Sequence, residues 1–182
     1  MYTYKFGEHF EQYRDQAWQT VWSFVESNRI PPGKKGMKLA RSVMEYIANS
    51  VSSPDRKPFI ETNLMKIFQI LVLPNIAVTD EEVDDFDDDP DSFVRNDLEE
   101  ADLETRRRNC LKFVQRLGRQ FSNQIAELVG SYITQLLDSY NADRDANWKY
   151  KTSLLNLLVA VIVQHASPRL GVVDLTIPPE QL

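Results

Sequence analysis

The sequence predicts an all-α protein: a HEAT-like α-solenoid segment of antiparallel helix pairs stacked side by side, with an acidic helical insertion. Three observations carry this expectation. Apolar residues recur at steps of three and four along most of the chain, the period of a helix with one buried face. Breaks rich in Pro, Gly and Ser cut that pattern into helix-length pieces, and no two stretches alternate as a convincing strand pair would. The pieces fall in pairs joined by short turns, the layout of quasi-one-dimensional repeat proteins.

The first helix carries Phe10, Tyr13, Trp18, Val21, Trp22 and Val25 and ends near Asn28, before the break Ile30-Pro31-Pro32-Gly33. The second carries Leu39, Val43, Met44, Ile47 and Val51 and stops at Ser52-Ser53-Pro54. The third begins near Pro58 and carries Ile60, Leu64, Ile67, Phe68 and Leu71, with Pro74 near its end. After an acidic stretch, Asp102 can cap a helix whose face is Cys110, Phe113, Val114, Leu117 and Phe121. The next has the cleanest stripe, from Ile125 through Val129, Tyr132 and Leu136 to Tyr140. Asn141 to Asp145 is a polar turn, and Trp148 opens a last helix that runs through His165. From Ser167 the sequence reads as an irregular tail, 167–182, punctuated by Pro168, Gly171, Pro178 and Pro179.

Pairing Gly36–Ser53 with Pro58–Leu73, and Asp102–Phe121 with Ser122–Tyr140, leaves 79–101 as an insertion between repeats. Without it the spacing approaches the roughly 40–47 residues of HEAT and armadillo units. Residues 1–182 then form a single helical-repeat segment. The last helix is apolar almost all round from Leu154 to Val163, so it needs cover on several sides. Further helices of a longer solenoid would supply that cover, and so would a second copy.

The insertion holds the strongest signal. Nine of the twelve residues from Asp80 to Asp91 are acidic, and none is Lys or Arg. Against a net charge of -6, that run contributes -9 and leaves +3 for the rest of the chain. Acidity this local can steer a basic partner. Val83, Phe86, Phe93, Val94 and Leu98 thread the stretch with apolar residues, which suits a docked segment better than a solvated tail. Thr79 and Glu82 have the spacing of a capping box, and Asp89-Pro90 offers a second helix start. Two short helices are expected. Acidic residues in their first turns suit the positive end of the helix dipole.

Arg106, Arg107 and Arg108 pose the opposite problem, since cations at a helix start oppose the dipole at about 0.3–1 kcal/mol each. Successive residues turn by about 100°, so the three cannot share a face. A clasp onto the carboxylates just upstream resolves the conflict, and arginine's planar fork suits it.

Other chemistries find little support. Asp80 to Asp91 has neither the Gly nor the closing Glu of a calcium-binding EF-hand. His9 and His165 stand alone, and the Pro31–Gly36 turn lacks a phosphate-loop pattern. No catalytic, cofactor-binding or metal-binding residue is assigned. The lone Cys110 excludes an intrachain disulfide, suits a reducing compartment and reads as a small buried hydrophobe. Trp18, Trp22, Trp148, Tyr132 and Tyr140 read as core packing. A nucleic-acid partner is disfavoured by the neighbouring negative field. The N-terminus has no secretory pattern, and the longest apolar block is far short of the roughly 20 residues that span a bilayer, so no membrane partner is expected.

Several of these residues, taken in order, resemble a known family. Leu73-Pro74-Asn75 is followed by Phe86 with Asp87 to Pro90, then Phe93-Val94-Arg95, Asp97-Leu98-Glu99 and Thr105 to Arg108. Downstream, Asn147-Trp148-Lys149 with Lys151 is similar to an Asn-Trp-Lys-x-Lys motif at the start of a repeat helix. The pattern resembles the importin-β superfamily, nearest its CAS-type exportins, from about Phe10 to about His165. The chain departs from it at Asn96, Glu100-Ala101 and Thr152. The resemblance implies a nuclear transport receptor without catalysis of its own, shuttling between nucleus and cytoplasm. It would bind the GTP form of the GTPase Ran together with importin-α. It also implies that the acidic insertion touches Ran and acts as a pivot of the superhelix. Asp84, Asp85, Asp87, Asp88 and Asp89 are then the candidate partner-binding residues, with Phe86, Phe93, Arg106, Arg107 and Arg108 anchoring the insert. Another import receptor of the superfamily, or a HEAT-repeat scaffold with a different basic partner, are the alternative readings.

Overall fold

A computed structural model describes residues 7–27, 30, 36–93, 106–167 and 172–175. Helices α1 (Gly7–Glu26) and α2 (Met37–Ser50) come first. A segmented rod follows, made of α3 (Lys57–Thr62), α4 (Leu64–Ile67), a π-helical turn (Phe68–Val72) and α5 (Leu73–Ile76). The insert contributes α6 (Asp80–Asp88), and the chain resumes with α7 (Arg106–Gly118), α8 (Ser122–Ala142) and α9 (Trp148–Ile162). Two short strands, β1 (Val163–Ser167) and β2 (Val172–Leu175), pair antiparallel with His165 opposite Asp174.

Each break in the rod has a local cause. At Asn63 the backbone leaves helical geometry, and its side chain donates back to the Phe59 carbonyl at 2.8 Å. The π turn lies just ahead of Pro74, which has no N–H to give. Leu73 N–H reaches back to the Phe68 carbonyl, and the buried Asn75 amide donates to the Leu71 carbonyl at 2.8 Å. The backbone thus stays hydrogen-bonded through a sequence that cannot run as a plain α-helix. The expectation of one helix from Pro58 holds in direction and burial, with these interruptions.

One core runs through the molecule from Trp18 to Val161. Trp18 and Trp22 stack at 6.0 Å, and Phe59 meets both rings edge-on, which fastens α1 to the rod. Helices α2, α7 and α9 lie side by side in one layer, backed by the rod and α8. The pairs expected from sequence stack side by side, so helices also meet neighbours outside their own pair. Helix α7 packs against α5 and the π turn, on the near side of the insertion, as well as against α8, and α8 packs most extensively on α9. The insertion therefore links two helices that touch each other. An apolar period marks which face is buried but not which neighbour covers it.

Two further expectations change. The last helix ends at Ile162, three residues short of His165, and the stretch expected as an irregular tail supplies β2 and the last residue of β1. The missed signal is the valine content on both sides, at Val163 and at Val172-Val173. Trp148, expected in the core, is 41 % exposed. On α9, Leu154, Leu157, Ala160 and Val161 are buried, while Leu155 and Val159 face solvent. The expected Asp102 cap, and Val94 and Leu98 of the apolar thread, lie outside the described residues.

Candidate partner-binding site

Local sequence makes the insert helix. Thr79 is its extended N-cap: the Glu82 N–H donates to the Thr79 hydroxyl oxygen at 3.3 Å, and the Thr79 N–H donates to Glu82 Oε2 at 2.9 Å. The expected capping box is therefore present. Asp89 then caps the next helical turn, 90–93, accepting from the Ser92 N–H at 3.0 Å. The edge of the Phe86 ring meets Phe93 at 5.5 Å, joining the two turns.

Long-range contacts fix this unit in place. Arg106 Nη2 lies 3.0 Å from Glu82 Oε2, and Arg107 Nη1 lies 3.0 Å from the same oxygen. Arg106 also donates to the Pro74 and Ala77 carbonyls, so one guanidinium holds the end of α5, the connecting loop and the insert together. It is buried, with 6 % of its side chain exposed, as suits a guanidinium whose donors are satisfied. Burial pushes the Glu82 carboxyl up, but the Thr79 N–H, Arg107 and Arg106 outweigh it and leave it below its ordinary value. At the other end of the contact, Lys149 Nζ lies 2.6 Å from Asp80 Oδ1 and ties the start of α9 to the start of α6. That hydrogen bond, with the charge of Lys149, lowers the Asp80 pKa.

The expected clasp exists, with a narrower anchor. Glu82, within the acidic run, is its carboxylate at the two ion pairs to Arg106 and Arg107. Arg106 and Arg107 share it, while Arg108 sits half-buried beside them. Phe86 and Phe93 brace the insert internally, and Phe86 is exposed, so it does not pin the insert to the core. Asp80 and Lys149 escaped the sequence reading, because 69 positions separate them and no local pattern links them.

With Asp80 and Glu82 engaged in holding the helix, Asp84, Asp85, Asp87, Asp88 and Asp89 remain exposed along it. The site is thus a mostly solvent-facing acidic helix held against a helical stack. Cys110 lies apart from it, fully buried, with its thiol 3.5 Å from the Val72 carbonyl oxygen and pushed up to about 12 by burial, against the opposing charge of Arg106.

A two-layer stack of helices with a docked acidic helix defines an α-solenoid of the HEAT-repeat class. Residues 1–177 match the Cse1 family, so the chain belongs to that family and with it to the CAS-type exportins of the importin-β superfamily. Among curated relatives it is 27% identical over 165 residues to Exportin-2 of Dictyostelium discoideum, covering 90% of the chain. It is 25% identical over 179 residues to the Importin-alpha re-exporter of Schizosaccharomyces pombe and 23% over 176 residues to Exportin-2 of Homo sapiens, covering 97% and 94% of the chain. The chain spans 17% of the first of these relatives and 18% of the other two. A solved structure described as the exportin Cse1 in its cargo-free, cytoplasmic state superposes with a TM-score of 0.81 at 24% identity, over 94% of this chain and 19% of that one. That likeness supports the shared solenoid fold.

Proposed function

We propose that this chain is a segment of a Ran-GTP-dependent nuclear transport receptor that exports importin-α, acting by binding and not by catalysis. Its place of action would be both nucleus and cytoplasm. The observation that carries the reading is membership of the Cse1 family along nearly the whole chain, with relatives named as importin-alpha re-exporters. The insert is consistent with a docking role: it is held through Glu82–Arg106 and Asp80–Lys149, and its other aspartates are exposed. Five carboxylates on so short a helix would meet a basic surface, on Ran or on importin-α, and would raise the encounter rate.

The test uses the full-length receptor, importin-α and Ran held in its GTP or GDP form. Co-precipitation of importin-α that requires the GTP form is expected. Capture that ignores the nucleotide, or fails altogether, would favour a HEAT-repeat scaffold with another partner.

A further inference from the structure

We propose that the cleft between α2 and α7 is a second docking surface, opposite in sign to the insert, which takes an acidic segment of a partner protein anchored by one apolar side chain. The cleft has a cavity of about 150 Å³. Its floor is Met44, Ala48 and Phe113, all buried, and its rim carries Arg41, Lys112 and Arg116. The opening is lined by both kinds of residue, with room over its apolar floor for one small apolar side chain. Of the lining residues only Glu45 is acidic, and Arg41 holds it at 2.9 Å. Arg116 donates to Asn49 at 2.6 Å, which fixes its guanidinium on the rim.

The charge is organised along the helix. Arg108, Lys112, Arg116 and Arg119 recur at steps of four, four and three, so they line one side of the α7 segment, and α7 itself contains no Asp or Glu. An apolar floor under a cationic rim selects a ligand with both features. The neighbouring insert decides the ligand class. Glu82 and its aspartate run are fastened to the N-terminal end of α7, only about 10 Å along the helix from the middle of the cleft. That field opposes every anionic ligand, and an extended phosphate backbone most of all, so what the cationic rim can hold beside it is a short segment with few carboxylates. The proposal is independent of the role given to the aspartates.

Fluorescence anisotropy of the full chain with a labelled peptide of alternating Glu and Leu tests it. The wild type should bind, and Lys112→Glu with Arg116→Glu should weaken binding by about tenfold or more, with a flatter salt dependence. Lys112→Glu alone guards against misfolding, since Lys112 is exposed; it should weaken binding with an unchanged melt. Arg14→Glu with Arg144→Glu makes the same change in net charge away from the cleft and should change affinity by no more than about twofold. Replacing the peptide leucines by glycine should also weaken binding. No binding by the wild type, equal losses in the two double variants, or indifference to the leucines would each overturn the proposal. So would a single-stranded oligonucleotide that binds as tightly and is lost in the same variants.

Discussion

Glu82 accepts from the Thr79 N–H and from Arg106, pairs by charge with Arg107 at 3.0 Å, and its side chain is only 18 % exposed. Removing its charge should therefore cost more than an ordinary surface substitution. Glu82→Gln is expected to destabilise the chain by about 2 kcal/mol, the scale of hydrogen bonds to charged partners. The pH dependence has a definite sign. Because the folded carboxyl lies below its unfolded value of 4.5, the unfolded state binds more protons, and this contribution is complete above that pH. It is lost as pH falls through the lower folded value. Urea melts of wild type and Glu82→Gln should therefore converge in acid and separate above pH 4.5. A constant gap across that range would mean that Glu82 acts through packing alone. Cys110 supplies a second residue-level test: buried and with its thiol near 12, it should resist a thiol reagent at neutral pH until the protein is denatured. The capping box was legible because it is written in four consecutive residues. The carbonyl partners of Arg106 were not, because they depend on where α5 ends in space.

At the scale of elements, the helices were legible wherever an apolar stripe was unambiguous, and their faces were read correctly on α2 and α7. The misreadings share a cause. Helix α8 has the cleanest stripe in the sequence, yet within it only Ile125 and Val129 are fully buried; Tyr132, Ile133 and Leu136 are half-covered. Pattern reports which residues can be buried, and coverage depends on neighbours. Substitutions on α9 should expose the difference. Leu157→Asp places a charge in a fully buried position and should unfold the chain, since an unpaired buried ion costs several kcal/mol. Leu155→Asp, two positions away on the exposed side, should leave the melting temperature nearly unchanged. Leu136→Asp should fall between them, contrary to the full burial its stripe suggests. Replacing Arg106, Arg107 and Arg108 together by Gln removes the cations that hold Glu82. Amide exchange should then quicken across residues 73–93, which Arg106 fastens through Pro74, Ala77 and Glu82, and remain slow across Ile125–Tyr140. Unaltered protection of residues 73–93 would mean that Phe86, Phe93 and Lys149 suffice to hold the insert.

For the molecule as a whole, the charge distribution is the feature on which function turns. The solenoid class and the acidic insert were both readable from sequence, because periodicity and composition are properties of the chain itself. The side of the stack on which the insert sits was not, since the Asp80–Lys149 and Glu82–Arg106 pairs that fix it join distant positions. Those two pairs orient α6 so that Asp84, Asp85, Asp87, Asp88 and Asp89 remain exposed. If these five carboxylates guide a basic partner, changing all five to Asn in the full-length receptor should slow its association most at low salt. The effect should shrink near physiological ionic strength, where the Debye length is about 8 Å. Dissociation should change little, as expected for exposed rim charges. Asp80 and Glu82 are left intact, and Asp89→Asn keeps a side-chain oxygen for the Ser92 N–H, so both anchors and the inner cap of the insert are retained. Phe86→Ala with Phe93→Ala should do the reverse, weakening binding at every salt concentration by unbracing the helix. Stopped-flow assembly of the receptor with importin-α and Ran-GTP reads both. Wild-type association by the five-Asn variant at low salt would remove the insert from the encounter and leave its aspartates with solubility alone.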